Sequence, residues 1–120
     1  YKIDVRLQPI NKVNIQTADR YSYLDADKIQ FPIQIKYPET GDYFYPLGLG
    51  KAKNSEKAGK KKLSKYFKDE HISVAERERI PIIKSGEKIV WIVNHRLDER
   101  FKITEETKNV IVLVITKGYE

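Results

Sequence analysis

The sequence predicts a small α+β domain, with a mixed sheet or β-sandwich-like arrangement and two short helices. The first third of the chain alternates apolar and polar residues as β-strands do, and the spacing becomes helical from Lys60 onward. Strand patterns return after Pro81. Strands at both ends of the chain with two short helices between them are typical of an α+β domain. The 120 residues, 40% of them hydrophobic, suffice for one core.

The N-terminal third contains three strand patterns. "YKIDVRL" and "KVNIQT" alternate, and "KIQFPIQIKY" places four apolar side chains on one face: Ile29, Phe31, Ile33 and Ile35. Pro32 has no backbone N–H to donate, so we expect this strand either to lie at a sheet edge or to contain a bulge. We assign residues 1–24 to an N-terminal β extension and residues 25–120 to the main domain.

A turn and a loop separate these strands from the helices. "YPETGD" predicts a turn in which Gly41 adopts a positive φ. Residues Pro46 to Lys57 have no periodicity and are rich in glycine and lysine, so we predict a mobile loop there.

The first predicted helix begins near Lys60. Its apolar stripe is formed by Leu63, Tyr66 and Phe67, and its opposite face by Lys61, Lys65 and Lys68. "SVAE" then predicts a second short helix, because Ser73 and Glu76 have the spacing of a capping box.

The last third returns to strands. "IPIIKSGEKIVWIV" predicts a hairpin with Ser85 and Gly86 at its turn, and "NVIVLVIT" predicts a strand that is buried on both faces. Between them, Thr104 is predicted to cap a helical turn in "ITEETK". Trp91 is predicted to lie in the core, whereas Tyr43 to Tyr45 are open to either packing or base stacking.

Positive charge is concentrated in one stretch. The formal net charge is +6, but Lys51 to Lys68 contains eight lysines and only one acid, Glu56, so eight minus one gives +7 there and −1 elsewhere. Such a run is either a solvated surface or a footprint for a polyanion. The scarcity of interleaved acids favours a polyanion, and downstream arginines are suited to phosphate contacts.

We therefore predict an RNA-binding surface made by Lys60, Lys61, Lys62, Lys65, Arg77 and Arg96. Six phosphate contacts would give a log–log salt slope of roughly −5.

Several other classes of function have little support. The chain has no cysteine, which excludes thiolate sites and fits a reducing, cytoplasmic setting. His71 and His95 lack ligand spacing, and no phosphate-binding or nucleophile motif occurs. No apolar run approaches the ~18 residues that span a bilayer. We predict no catalytic, cofactor or metal site and no membrane contact.

Three segments in order resemble the C-terminal domain of bacterial tRNA(Ile)-lysidine synthetase. They are "TGDYFYPLGLG", "GKKKLSKYFKDEHISVAERERIPII" and "KIVWIVNHRLDERFKITEETK", and the likeness covers residues 25–116. The matching positions are Gly41, Asp42, Pro46, Gly48, Lys61, Lys62, Leu63, Arg77, Pro81, Trp91 and Arg96. Asn94 stands where the family usually has glycine, and asparagine tolerates positive φ. The arginines usual before the turn are absent, and "KAKNSEKA" is an insertion.

This resemblance implies a fold shared with the β subunit of phenylalanyl-tRNA synthetase. It also implies a parent ligase that uses ATP to adenylate a cytidine in the anticodon of an isoleucine tRNA and then attaches lysine. The family's Ser-Gly-Gly-x-Asp-Ser nucleotide loop is not in this sequence, so ATP would bind elsewhere in the parent. A chain that starts at Tyr1 and lacks methionine fits a piece of a longer protein. The role implied here is to hold the tRNA body, including its acceptor stem.

The sequence leaves two alternative functions open. The first is a protein-interaction module that dimerises through its sheet, with the lysines only improving solubility. The second is a small enzyme or binding domain for an anionic metabolite, which the absence of a convergent acid–base set disfavours.

Overall fold

The computed structural model describes residues 1–15, 20–48 and 59–116. Its strands are β1 (Lys2–Pro9), β2 (Tyr21–Asp25), β3 (Ile33–Lys36), β4 (Tyr43–Phe44), β5 (Lys61–Lys62), β6 (Ile82–Ser85), β7 (Lys88–Ile92), β8 (Arg96–Leu97) and β9 (Asn109–Thr116). Its α-helices are α1 (Leu63–Asp69) and α2 (Val74–Arg77). Short 3-10 turns cover Ile10–Lys12, Ala26–Lys28 and Glu99–Phe101.

The strands form three antiparallel sheets. One has the order β1-β9-β2, the second β3-β6-β7-β8, and the third pairs β4 with β5. The predicted α+β class with two short helices is confirmed, and every strand pair among the described residues is antiparallel. As expected of a strand that follows Pro32, β3 lies at a sheet edge.

The main core lies between the two larger sheets. The three-stranded sheet contributes Leu24, Ile111, Leu113 and Ile115. The four-stranded sheet contributes Ile83, Val90 and Trp91, and Val93 joins them directly after β7. Trp91 is 4% exposed, which confirms its predicted place in the core. Because the side chains of a strand alternate, β9 sends Val110, Val112 and Val114 to its other face, where they are also buried.

Helix α1 covers the other side of the four-stranded sheet. Its predicted apolar stripe is confirmed, since Leu63, Tyr66 and Phe67 are buried against a cluster formed by Phe44, Ile82, Ile89 and Ile92. The helix starts at Leu63 and not near Lys60, because Lys61 and Lys62 pair with Phe44 and Tyr43. The predicted cap of α2 is confirmed: the Glu76 N–H donates to Ser73 Oγ at 3.2 Å.

Four features of the N-terminal half differ from the sequence expectations. "KVNIQT" is not a strand over Lys12–Ile15, and the rest of that pattern lies outside the described residues. The strand β2 was not predicted. Phe31 is 66% exposed and precedes β3 instead of sharing its buried face. The predicted mobile loop lies outside the described residues from 49 on, whereas its start is anchored by the Leu47 N–H bonded to the Leu97 carbonyl at 2.9 Å.

The turn residues behave as their types predict. Gly41 has a φ of +90° and Asn94 a φ of +63°, so the asparagine takes the left-handed conformation that favours glycine.

The division at residue 24 stays a prediction, although both β1 and β2 pair with β9 near the other end of the chain.

Candidate nucleic-acid interface

Five lysines on β5, on α1 and directly before β5 form a surface that we call the lysine ridge: Lys60, Lys61, Lys62, Lys65 and Lys68. The short pairing of β5 with β4 fixes the start of the ridge, and the buried stripe of α1 turns its remaining lysines outward. All five are exposed except Lys61, which is half-buried. Local folding therefore gathers the predicted lysines along one strand and the helix that directly follows it.

One carboxylate neutralises part of the ridge. Asp69 Oδ2 lies 2.7 Å from Lys61 Nζ and 3.7 Å from Lys65 Nζ. The hydrogen bond from Lys61 is the largest cause that lowers the pKa of Asp69, so this carboxylate stays ionised at neutral pH. Among the described residues, Lys60, Lys62 and Lys68 form no ion pair. These three lysines therefore keep their positive charge unpaired with a carboxylate in the described part of the chain, although Lys60 also lies over the Tyr43 ring.

The two predicted arginines have partners within the fold. Arg96 Nη1 donates to the Leu47 carbonyl at 2.8 Å, and Arg77 Nε donates to the Ile72 carbonyl at 3.0 Å. The Arg77 guanidinium also lies 5.9 Å from the centre of the Phe67 ring. Both arginines are only half-buried, so each combines a structural contact with partial access to solvent.

Tyr66 links the ridge to Arg96. Its buried phenol has a pKa raised above 10.0 by desolvation, with Glu70 adding to the effect and Arg96 opposing it by charge and a hydrogen bond. Lys61 Nζ lies 6.0 Å from the centre of the same ring. Arg96 is therefore close to the ridge, whereas Arg77 lies beside the neighbouring ring of Phe67.

Beside the ridge lies a row of rings and cations that sequence reasoning did not assemble. Lys60 Nζ is 4.0 Å from the centre of the Tyr43 ring, the Tyr43 and Tyr45 rings are 6.2 Å apart, and the Arg100 guanidinium is 4.4 Å from the Tyr45 ring. The alternation of "YFY" is the available signal, because it places Tyr43 and Tyr45 opposite the buried Phe44.

Asp98 holds the far end of this row. Its fully buried carboxylate accepts the Tyr45 N–H at 2.9 Å and three N–H groups of Arg100 at 2.8 to 3.0 Å. The Arg100 side chain is therefore fixed over Tyr45.

Among the described residues, no group of three His, Asp or Glu side chains is placed to hold a metal ion. No helix of the described part is long and apolar enough to cross a membrane.

Two solved structures share this fold. A crystal structure of a TilS C-terminal domain matches with a TM-score of 0.68 and 18% identity, covering 93% of this chain and 82% of that one. An N-terminal fragment of the phenylalanyl-tRNA synthetase β subunit from Pyrococcus horikoshii matches with a TM-score of 0.59 and 22% identity, over 78% of this chain and 27% of that one. At these identities the likeness concerns the fold alone.

Sequence comparison is more specific. The chain is 41% identical over 99 residues to a tRNA(Ile)-lysidine synthase of Parabacteroides distasonis, covering 82% of this chain and 21% of that protein. It is 41% identical over 118 residues to that of Caldanaerobacter subterraneus subsp. tengcongensis, covering 98% and 22%. The chain thus spans about a fifth of these curated relatives. A family model described as the TilS substrate C-terminal domain matches residues 33–114, and the chain belongs to this family.

Proposed function

We propose that this domain binds tRNA mainly through the phosphates of a duplex stem, such as the acceptor stem, which the lysine ridge contacts. The observation that carries the proposal is the exposure of Lys60, Lys62, Lys65 and Lys68 along β5 and α1. Among the described residues, Asp69 is the carboxylate that forms ion pairs with the ridge. A-form RNA offers side chains little sequence information in its deep groove, so phosphate contacts dominate. Arg96 and Arg77 are half-buried, and their guanidinium groups add positive charge to the same phosphate-binding surface.

The parent protein, in this proposal, is an ATP-dependent ligase that attaches lysine to a cytidine in the anticodon of an isoleucine tRNA. Relatives that carry the name tRNA(Ile)-lysidine synthase support this reading. ATP and the catalytic groups belong to the remainder of the parent. When two domains hold one tRNA, the second contact becomes intramolecular, so a modest affinity here suffices.

A salt series tests the proposal. We expect the affinity of the 120-residue chain for an isoleucine tRNA to fall with salt at a log–log slope of about −4 to −5, as five phosphate contacts would give. An unrelated RNA duplex is the control, and its affinity should agree within about threefold because phosphates are common to both. A slope shallower than about −1 would contradict the phosphate contacts.

Self-association is a second candidate, favoured by the edge strand β1. Val5, Leu7 and Phe31 are 43%, 69% and 66% exposed and line one groove of about 360 Å³. An open strand edge with apolar side chains beside it is a common site of pairing between chains.

Light scattering at high protein concentration and 0.5 M salt tests this candidate. Dimerisation would raise the apparent mass to twice 14.1 kDa, and Leu7→Glu should restore the monomer by placing a charge in the apolar interface. Ile15→Glu is the matched control, since Ile15 is 62% exposed and is not one of the groove's lining residues. A monomeric mass for the unmodified chain would exclude this mode at that concentration.

A further inference from the structure

The row of Tyr43, Tyr45, Lys60 and Arg100 borders a cleft of about 510 Å³. Tyr43 and Arg100 line this cleft directly, together with Gln30, Asp42 and Lys88. Its volume falls within the range of about 300 to 1,000 Å³ that small-ligand sites occupy, so a single nucleotide can enter it.

Two of the charged groups that line the cleft are held in place by ion pairs. Asp42 Oδ1 is held by Lys84 Nζ at 3.0 Å, and Arg100 is held by Asp98. Glu87 and Lys88 are exposed at the turn between β6 and β7. Three cations can reach a phosphate here: the exposed Lys88, the nearby Lys60, and Arg100, whose side-chain bonds to Asp98 use Nε and Nη2. The exposed Glu87 opposes them in part, and the Gln30 amide can meet the edge of a base.

Tyr43 is not needed to fill the core. Its side chain is 41% exposed, whereas its neighbour Phe44 is fully buried against α1. Tyr43 also pairs directly with Lys62 of the ridge through β4 and β5. An aromatic ring beside cations, open to solvent and joined to a phosphate-binding surface, has the composition of a single-strand stacking platform.

We propose that this cleft binds an unpaired nucleotide that flanks the RNA duplex held by the lysine ridge, with its base stacked on Tyr43. The inference rests on the proposed function and deepens it, because it adds a site for single-stranded RNA to a surface for duplex RNA. Lys60 and Arg100 contact the phosphates of that nucleotide, and Gln30 or Lys88 contacts the edge of the base. Stacking tolerates any base, so the site selects for an unpaired nucleotide and not for a sequence.

Two RNA stems of identical sequence test the proposal, one blunt and one carrying a short single-stranded 3′ extension labelled with 2-aminopurine. We expect the unmodified chain to bind the extended stem about tenfold more tightly, and the label to be quenched on binding. Tyr43→Ala should abolish both the preference and the quenching. Its affinity for the blunt stem should fall by no more than about threefold, because Lys60 loses only its contact with the ring and keeps its charge. Tyr43→Phe should keep both, because it retains the ring.

Tyr37→Ala is the matched control, since Tyr37 is 47% exposed and is not one of the cleft's lining residues. Equal affinity of the unmodified chain for the two stems, with normal salt dependence, would overturn the cleft assignment and leave the phosphate surface intact. Failure to bind either stem would overturn both. Free CMP that binds as tightly as the extended stem would also overturn the assignment to RNA. Quenching that survives Tyr43→Ala would place the base elsewhere.

Discussion

Replacing Asp98 with alanine should lower the free energy of unfolding by about 2 to 4 kcal/mol. The fully buried carboxylate accepts four N–H groups, and its loss leaves the Tyr45 N–H and the Arg100 guanidinium without their acceptor. This loss of stability is smaller than the usual cost of leaving a buried ion without its partner, because the Arg100 side chain is still 28% exposed to solvent. Urea denaturation with linear extrapolation measures the change.

The chain supplies a matched control at the same sequence spacing. Asp4 and Arg6 also form an ion pair two residues apart, at 2.8 Å, but their side chains are 53% and 58% exposed. Asp4→Ala should therefore change the free energy of unfolding by no more than about 0.5 kcal/mol. Equal changes in the free energy of unfolding of the two variants would contradict this prediction. They would show that the buried Asp98–Arg100 pair stabilises the fold no more than the exposed Asp4–Arg6 pair does.

The double variant Lys62→Glu, Lys65→Glu should weaken binding to tRNA by about 30-fold or more at 0.1 M salt and reduce the salt slope by about 2. Lys62 forms no ion pair among the described residues, and Lys65 is 68% exposed with only a 3.7 Å contact to Asp69. Neither side chain supports the core. The loss therefore reports removed phosphate contacts and added repulsion, once circular dichroism shows that α1 is retained.

The control for this variant reverses the same number of charges elsewhere. Lys2 and Lys108 are both exposed and lie at or beside strands of the three-stranded sheet. Lys2→Glu, Lys108→Glu should change the affinity less than about threefold, since distant exposed charges are largely screened at this salt concentration. Comparable losses in the two double variants would mean that net charge, and not the ridge, determines binding.

Elements with strong periodicity were predictable from the sequence. The spacing of Leu63, Tyr66 and Phe67 identified the buried face of α1, and the apolar run of β9 identified a strand with both faces covered. The start of α1 was misplaced because Lys61 and Lys62 pair with β4, a tertiary contact that helix propensity does not include. The strand β2 was missed because its buried positions include the polar residues Ser22 and Asp25.

The candidate site was predictable only in part. A run of lysines shows where positive charge lies in the sequence, and α1 determines which of them point outward. The partial neutralisation of Lys61 depends on Asp69 at the end of α1, and the bonds of Arg77 and Arg96 to carbonyl groups depend on the folded backbone. The row of rings and cations likewise brings together Tyr43, Lys60 and Arg100, which come from three separate segments of the chain.

The central position of β9 has a consequence for biogenesis. Pro9 pairs with Asn109 and Lys2 with Thr116, so β1 finds its partner only after about a hundred further residues have been translated. Closing so large a loop precedes any gain from pairing, which makes this step slow compared with forming α1. A nascent chain at that stage presents β1 and β2 as unpaired strands, open to a chaperone or to aggregation until β9 leaves the ribosome.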